Sequence, residues 1–342
     1  MTKFTHFLAA TAVGLGLGTA AMAQEKTLTI STWLPPSHSI NVDMFEGLID
    51  MMEEATDGQV TAEIKSGLAP PPAQMDLVMD GAADISIIFH GYQPGRFVGT
   101  KLIELPGYEG NAEAASVAYW RVHEAMLAEL DEHRGVKLIG LSTHGPGQIH
   151  SNQSVTTLAD LDGLKTRLGG GVAGDVGAAV GLIGINVPAP KVYETLDSGA
   201  ADAVAMNVGE RLGFKLTEVA ENLYVMPGGL YRGSFAVLMS QETFDSLSDE
   251  QKAALDAEVF GEPFSRLMGA AWDKSDADAY AATEAAEGNT ITEASAADQE
   301  AFATVAADVR AKVLAEIADA GIDAQAAYDM VVSEMAKESG GS

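Results

Sequence analysis

Hydrophobic and polar positions along this chain switch between a period of two and a helical period, which reads as strands followed by helices. Residues 26–31 set Leu28 and Ile30 against Thr27 and Thr29, the pattern of a first strand. Pro35-Pro36-Ser37-His38 marks a turn, and Ser39 or Asn41 is placed to cap a helix running to about Thr56. Within it Met44, Phe45, Leu48, Ile49 and Met52 recur at helical spacing until Asp57-Gly58 breaks the pattern. A second strand is predicted over 60–65, a short helix over 73–80 stopped by Gly81, and a strongly apolar third strand over 84–89. Strands are also predicted at 137–141 and 164–168, the latter running into the glycine-rich stretch 169–177. From Ser248 onward the chain is alanine-rich and reads as helical, ending in the tail Ser339-Gly340-Gly341-Ser342. Strands alternating with helices predict an α/β protein, here without internal repeat or long linker.

The first 23 residues stand outside this alternation. Lys3 precedes an apolar run from Phe7 to Met22, closed by Ala21-Met22-Ala23. That order of charge, apolar run and small residues predicts a secretory signal peptide over 1–23, cleaved after Ala23. The competing reading, an uncleaved anchor, is weakened by Gly14, Gly16 and Gly18 and by a length too short for a comfortable span. No later stretch approaches ~18 consecutive apolar residues, so the expectation is an exported, periplasmic protein.

Composition narrows what the exported body does. About 319 residues remain after the signal, too many for one small core, so two domains are expected. Cys is absent, which excludes a disulfide framework, a thiolate nucleophile and a thiolate zinc site. The net charge of −29 repels DNA, RNA and anionic lipid, so nucleic acid is excluded as a partner. Short connections without a tether imply lobes joined by crossing elements, with a cleft where strand-end loops converge on a ligand.

Several segments, in order and spread over most of the chain, carry a family resemblance. Leu158-Ala159-Asp160-Leu161-Asp162-Gly163-Leu164-Lys165-Thr166-Arg167 is similar to the "dLkGlkiR" segment of the solute-binding proteins of TRAP transporters, the tripartite ATP-independent periplasmic carriers (DctP type). Val192-Tyr193-Glu194-Thr195-Leu196-Asp197-Ser198-Gly199-Ala200-Ala201-Asp202 resembles their "vYeALqtGavDg" segment. Gln74 to Ile85 resembles their helix-Gly-x-x-Asp-strand element, and Pro94-Gly95-Arg96-Phe97 with Glu104-Leu105-Pro106 resembles the approach to their "LP" turn. Phe244 to Gln251 is similar to the start of a later helix, with Ser248 where a proline is common.

The resemblance implies a two-lobed periplasmic-binding-protein fold, type II-like, with hinge-linked lobes and a long helix packed across both. Its boundaries put one lobe at 24–144 plus 232–271 and the other at 145–231 plus 272–342. It implies a monomeric receptor that captures a small organic acid and delivers it to small and large integral-membrane TRAP subunits, with no cofactor. Members typically hold the acid through the arginine matching Arg167. A guanidinium suits this role because its paired N–H donors match a carboxylate and it stays charged when desolvated. The other reading of Arg167 is a surface bridge to one of 49 acidic residues, worth only ~0–1 kcal/mol.

The chain departs from sialic-acid and dicarboxylate members in ways that bear on the ligand. Where a second arginine often lies it has Gly147-Gln148, and the asparagine after the "vDG" element falls on Met206 or Asn207. Trp33 follows the first strand in place of a small polar loop. A positive charge is lost and aromatic surface gained, which favours a monocarboxylate. Trp33, Phe89, Tyr92, Tyr231 and Phe235 are candidate stacking walls, with ordinary core packing as the alternative. Among the histidines near strand ends, His90 is the best candidate for the pocket; Gln148, Met206 and Asn207 are expected to discriminate between ligands. No His-Glu-x-x-His occurs, and the glycine-rich stretch lacks the Gly-Lys-Ser/Thr of a P-loop, though the following helix start offers N–H groups to an anion. Neither a Gly-x-Ser-x-Gly elbow nor a recognisable nucleophile–base pair is present, which leaves a secreted hydrolase or lyase a remote alternative. A receptor for a zwitterionic betaine or a sulfonate, or an ABC-type binding protein, is the nearer one.

Overall fold

The computed structural model describes residues 25–340, so the expected signal peptide lies outside the described residues. The strands are β1 (Lys26–Thr32), β2 (Val60–Ser66), β3 (Ile85–Phe89), β4 (Val136–Thr143), β5 (Gly147–Ser151), β6 (Lys165–Leu168), β7 (Ile183–Asn186), β8 (Ala203–Asn207), β9 (Asn222–Val225), β10 (Ser234–Ser240) and β11 (Thr290–Glu293). They form two sheets, one ordered β2-β1-β3-β10-β4 and the other β11-β9-β5-β8-β6-β7. The α/β expectation of two lobes therefore has a concrete form, one sheet per lobe.

Side-chain pattern explains strand position. β3 reads Ile-Ser-Ile-Ile-Phe and is buried along its whole length, as a strand covered on both faces must be. β1 and β2 run parallel in register from Lys26 opposite Val60 to Thr32 opposite Ser66, with β2 at the edge. β10 returns from the second half of the chain and runs antiparallel to both β3 and β4. β5 likewise runs antiparallel to β8 and β9 in the other sheet. The chain thus passes between the sheets at the β4–β5 turn and again between β9 and β10.

The long helix Glu262–Ala285 is the third connection. It starts at Gly261, whose φ of 86° and close approach to the Trp120 indole leave no room for a side chain. It packs on the helix Ala112–Ala125 and β4 on one side, and on Glu210–Gly213 and β11 on the other. Two carboxylates key it to both lobes. Asp273 accepts from the backbone N–H groups of Ala112 (2.7 Å) and Glu113 (2.9 Å), meeting open donors at a helix start. Asp276 accepts from Asn207 Nδ2 (2.7 Å) and the Gly209 N–H (2.6 Å). The last two helices diverge: Ala296–Asp319 packs on Val172–Ala179, while Ala324–Ser339 packs on Ala112–Ala125. The final helix thus sits against the first lobe, whereas the sequence division places all of 272–342 with the second.

Candidate ligand-binding cleft

The ends of β1, β3, β6 and β8 converge with the long helix on a narrow cleft. Arg167 stands at one end. It pairs with Ile185 of β7 and Val204 of β8, and is 2% exposed. Its Nε donates to the Val187 carbonyl (2.8 Å) and its Nη2 to the Tyr92 hydroxyl (3.0 Å). That hydroxyl also accepts from the Ala189 N–H (2.7 Å), so Tyr92 on one lobe holds two donors of the other. Among the described residues, none of the ion pairs involves Arg167. A buried guanidinium with only neutral partners favours an anion, because nothing else offsets its desolvation.

Aromatic rings form the walls. Trp33 meets Tyr92 edge-on (6.0 Å), Tyr92 meets Phe89 (4.8 Å), Phe89 meets Phe235 (5.1 Å), and Phe235 meets Trp272 (5.3 Å). The Trp33 indole is fixed by a bond to the Ile87 carbonyl (3.1 Å), and the Tyr231 hydroxyl by one to the Ala205 carbonyl (3.0 Å), which leaves their ring surfaces for packing. Tyr231 also closes off Gly147, one of the two positions compared above with a second arginine. A Cβ at Gly147 would lie 2.4 Å from its ring, so the ring occupies the space that a side chain there would need.

The opposite end is polar and acidic. Glu210 Oε2 lies 3.0 Å from His38 Nε2, and His38 Nδ1 accepts from the Ile40 N–H (3.2 Å). That second bond assigns the ring proton to Nε2, which donates to Glu210. Beside it, burial pushes the Asp276 carboxyl up to about 7 against the pull of its Asn207 and Gly209 donors.

Arg167, Trp33, Phe89, Met206, Asn207 and Tyr231 are brought together in the cleft wall, as are the further wall candidates Tyr92 and Phe235. Gln148 and His90 are not. Gln148 sits opposite Met206 in register, but its amide is spent on Met226, accepting from the N–H (2.8 Å) and donating to the carbonyl (3.1 Å). His90 follows Phe89, and successive side chains of extended chain point to opposite faces. Phe89 takes the cleft, and His90 is buried with Nδ1 2.9 Å from Ser234 Oγ and Nε2 2.9 Å from His133 Nε2. Burial drops its pKa to about 3. Glu210, Phe214 and Trp272 also line the cleft and carry no sequence signal that separates them from other acidic or core residues.

The glycine-rich stretch permits close approach to Gly91 and Glu104. Gly170 and Gly171 have φ of 92° and 61°, and a Cβ on either would meet Gly91 O or Glu104 Oε2 at 2.3 Å. The helix start at Val172 does hold a carboxyl group, but it is the protein's own. Glu104 Oε2 accepts from the Val172 N–H (2.9 Å), and its Oε1 accepts from Ser234 Oγ (2.6 Å). Burial raises the Glu104 carboxyl to about 7. Among the described residues no cluster of three or more His, Asp or Glu is disposed to hold a metal, and no helix is long and apolar enough to cross a membrane.

Comparison with known proteins agrees with this geometry. The family model for bacterial extracellular solute-binding proteins, family 7, matches residues 30–316. A TRAP periplasmic solute-binding protein from Bordetella bronchiseptica, solved with bound (R)- and (S)-mandelate, is 35% identical; the match covers 91% of this chain and 99% of that one, with a TM-score of 0.88. A TRAP solute-binding protein from Rhodoferax ferrireducens T118, solved with copurified benzoate, is 27% identical over 92% of this chain and 99% of its own, with a TM-score of 0.85. The outer membrane transporter protein TsaT of Comamonas testosteroni is 25% identical over 78% of this chain and 79% of its own length. The structural relatives are binding proteins of TRAP transporters and not enzymes. With a two-sheet fold and a cleft that joins a buried arginine to aromatic walls, this chain belongs to the family 7 extracellular solute-binding proteins, the periplasmic receptors of TRAP transporters.

Proposed function

We propose that this protein captures an aromatic monocarboxylate in the periplasm and delivers it, as a monomer, to the small and large membrane subunits of a TRAP carrier. Arg167 clamps the carboxylate, and Trp33, Phe89, Tyr92 and Tyr231 flank the ring. The observation that carries this reading is the buried Arg167 guanidinium, without a carboxylate partner among the described residues, at the head of an aromatic cleft. The mandelate and benzoate held by the two solved relatives are acids of this kind and support it. A signal peptide over 1–23 would place the mature chain in the right compartment, and mass spectrometry of the secreted protein should find Gln24 at its start.

Titration calorimetry with benzoate and mandelate tests the site. The wild type should bind at least one of them, Arg167→Ala should abolish binding with the fold intact, and Arg167→Lys should weaken it because the paired donor fork is lost. Unchanged affinity in either folded variant defeats the assignment. Glycine betaine is the counter-probe: if it raises the melting temperature and arylcarboxylates do not, the aromatic walls serve a quaternary ammonium instead.

A further inference from the structure

Away from the cleft, His90 belongs to a buried chain of hydrogen bonds. His133 Nε2 lies 2.9 Å from His90 Nε2, His90 Nδ1 lies 2.9 Å from Ser234 Oγ, and Ser234 Oγ lies 2.6 Å from Glu104 Oε1. All four side chains are buried. At one end, His133 Nδ1 has no partner among the described residues, and the half-buried ring of His123 meets His133 edge-on at 5.7 Å. The other end crosses between the lobes. The short helix Lys101–Glu104 packs on β10, while Glu104 Oε2 accepts from the Val172 N–H (2.9 Å) at the start of the helix that follows β6.

Every link of this chain can be satisfied in two arrangements that run in opposite directions. With Glu104 ionised, Oε1 can only accept, so Ser234 donates to it, His90 carries its ring proton on Nδ1, and His133 carries its own on Nε2. With Glu104 protonated on Oε1, the carboxyl donates to Ser234, Ser234 donates to His90 Nδ1, and the His90 Nε2–H donates to His133 Nε2, which puts the His133 proton on Nδ1. The second arrangement holds one proton more than the first, and each of the others has moved one bond along. Neither ring holds two protons at any stage. Burial opposes that, dropping His90 to about 3 and His133 well below its usual value. The Val172 bond to Oε2 is made in both.

The charges around the chain have other partners. Lys101 pairs with Glu316 (2.6 Å) of helix Ala296–Asp319, and Asp175 of helix Val172–Ala179 pairs with Lys312 (2.6 Å). Arg232 gives its backbone N–H to the Glu104 carbonyl (3.0 Å) and turns its guanidinium to the carbonyls of His144 and Gly110. Glu132 accepts from the N–H groups of Val98 and Gly99, and Arg96 is the cation beside His133. Burial raises the phenols of Tyr119 and Tyr231, which stay neutral; Tyr328 is the ionisable group on the last helix where it packs on Lys101–Glu104.

We propose that His133, His90, Ser234 and Glu104 form a proton relay, in which a proton gained at Glu104 reverses the whole chain and moves the His90 ring proton from Nδ1 to Nε2. A negative charge is thereby removed from the contact between the lobes, or restored to it, with no hydrogen bond lost, which makes that contact responsive to the surrounding pH. The Glu104 carboxyl, raised to about 7, brings both arrangements within reach of the folded protein.

The test is nitrogen-15 NMR of the mature protein labelled at histidine, since each ring nitrogen reports whether it carries a proton. Resonances are assigned from His90→Gln and His133→Gln. In the wild type, His90 should carry its proton on Nδ1 at pH 9 and on Nε2 at pH 5. His133 should change from Nε2 to Nδ1 over the same range, with one shared midpoint and no imidazolium. Glu104→Gln, whose amide donates to Ser234 while its carbonyl keeps the Val172 bond, should hold His90 as the Nε2–H form at both pH values. Ser234→Ala cuts the chain, should abolish the coupled change, and serves if the first variant does not fold. A wild-type His90 fixed in one tautomer, or protonated on both nitrogens at pH 5, overturns the relay. An exchange that persists in either folded variant overturns Glu104 as its source.

Discussion

Removing one oxygen atom should loosen the closed cleft without touching the ligand's main anchor. In Tyr92→Phe the ring stays, and with it the edge contacts to Phe89 at 4.8 Å and Trp33 at 6.0 Å. What is lost is an acceptor for two donors of the opposite lobe, Arg167 Nη2 at 3.0 Å and the Ala189 N–H at 2.7 Å. A buried donor left without an acceptor costs ~1–3 kcal/mol, more when charged. In the open form both donors can turn to water, so the penalty falls on closure and therefore on binding. Partial hydration of the closed site by a water in the vacated volume would offset some of it. A net loss of ~2 kcal/mol corresponds to roughly 30-fold weaker binding. Calorimetry with benzoate measures this directly, and the melting temperature of the ligand-free protein should fall by less than the affinity loss implies. Affinity within threefold of wild type would refute the idea that Tyr92 links the lobes through these two bonds.

Two other tests probe charge. Terephthalate should bind at least tenfold more weakly than benzoate, a gap of ~1.4 kcal/mol, because among the described residues lining the cleft Arg167 is the one Lys or Arg and Glu210 adds a negative charge; equal affinities on calorimetry would require a second cation to reach the ligand. Glu104 has a folded pKa raised to about 7 from the ordinary 4.5, so its contribution to stability is full below pH ~4.5 and lost as pH rises through ~7. Glu104→Gln has no proton to lose, so relative to wild type it should gain in melting temperature from pH 5 to pH 8, and a difference that is constant with pH would refute the assignment. The gain has an upper bound of ~3 kcal/mol. His90 and His150, both lowered to about 3, act in the opposite sense: they stabilise above pH ~6.5 and are lost towards ~3.

The place of Arg167 in the cleft was legible in the sequence and that of Glu210 was not. Arg167 sits in a segment whose motif fixes both the strand and its place in it, so chemistry and position came together. The aromatic walls were readable as a set because Trp33, Phe89 and Tyr92 cluster at strand ends, where clefts form. His90 and Gln148 also lie at or in strands near the cleft, but what decides their role is direction. Alternation sends His90 to the face away from Phe89, and the Met226 backbone captures Gln148 from 78 residues away. Glu210 and Asp276 could not be singled out among 49 acidic residues, because only the fold shows that Glu210 is buried and that Asp276 is bonded to Asn207 and Gly209. The glycine run announced tight backbone geometry, yet its purpose depends on Gly91 and Glu104, which the sequence places far away.

The long helix divides the cleft wall into a part held by one element and a part assembled from two. Asp273 and Asp276 tie the helix to opposite lobes within one turn, so it acts as a shared shaft about which the lobes rotate without sliding apart. Groups fastened to the shaft change their spacing least during that rotation. Trp272 belongs to it, and Asn207 is bonded to it through Asp276. The Arg167–Tyr92 contact joins one lobe to the other and exists only when the lobes meet. The part of the wall fastened to the shaft therefore keeps its form when the lobes part. The part built from Arg167 and Tyr92 is a clasp that must be assembled anew each time the lobes meet.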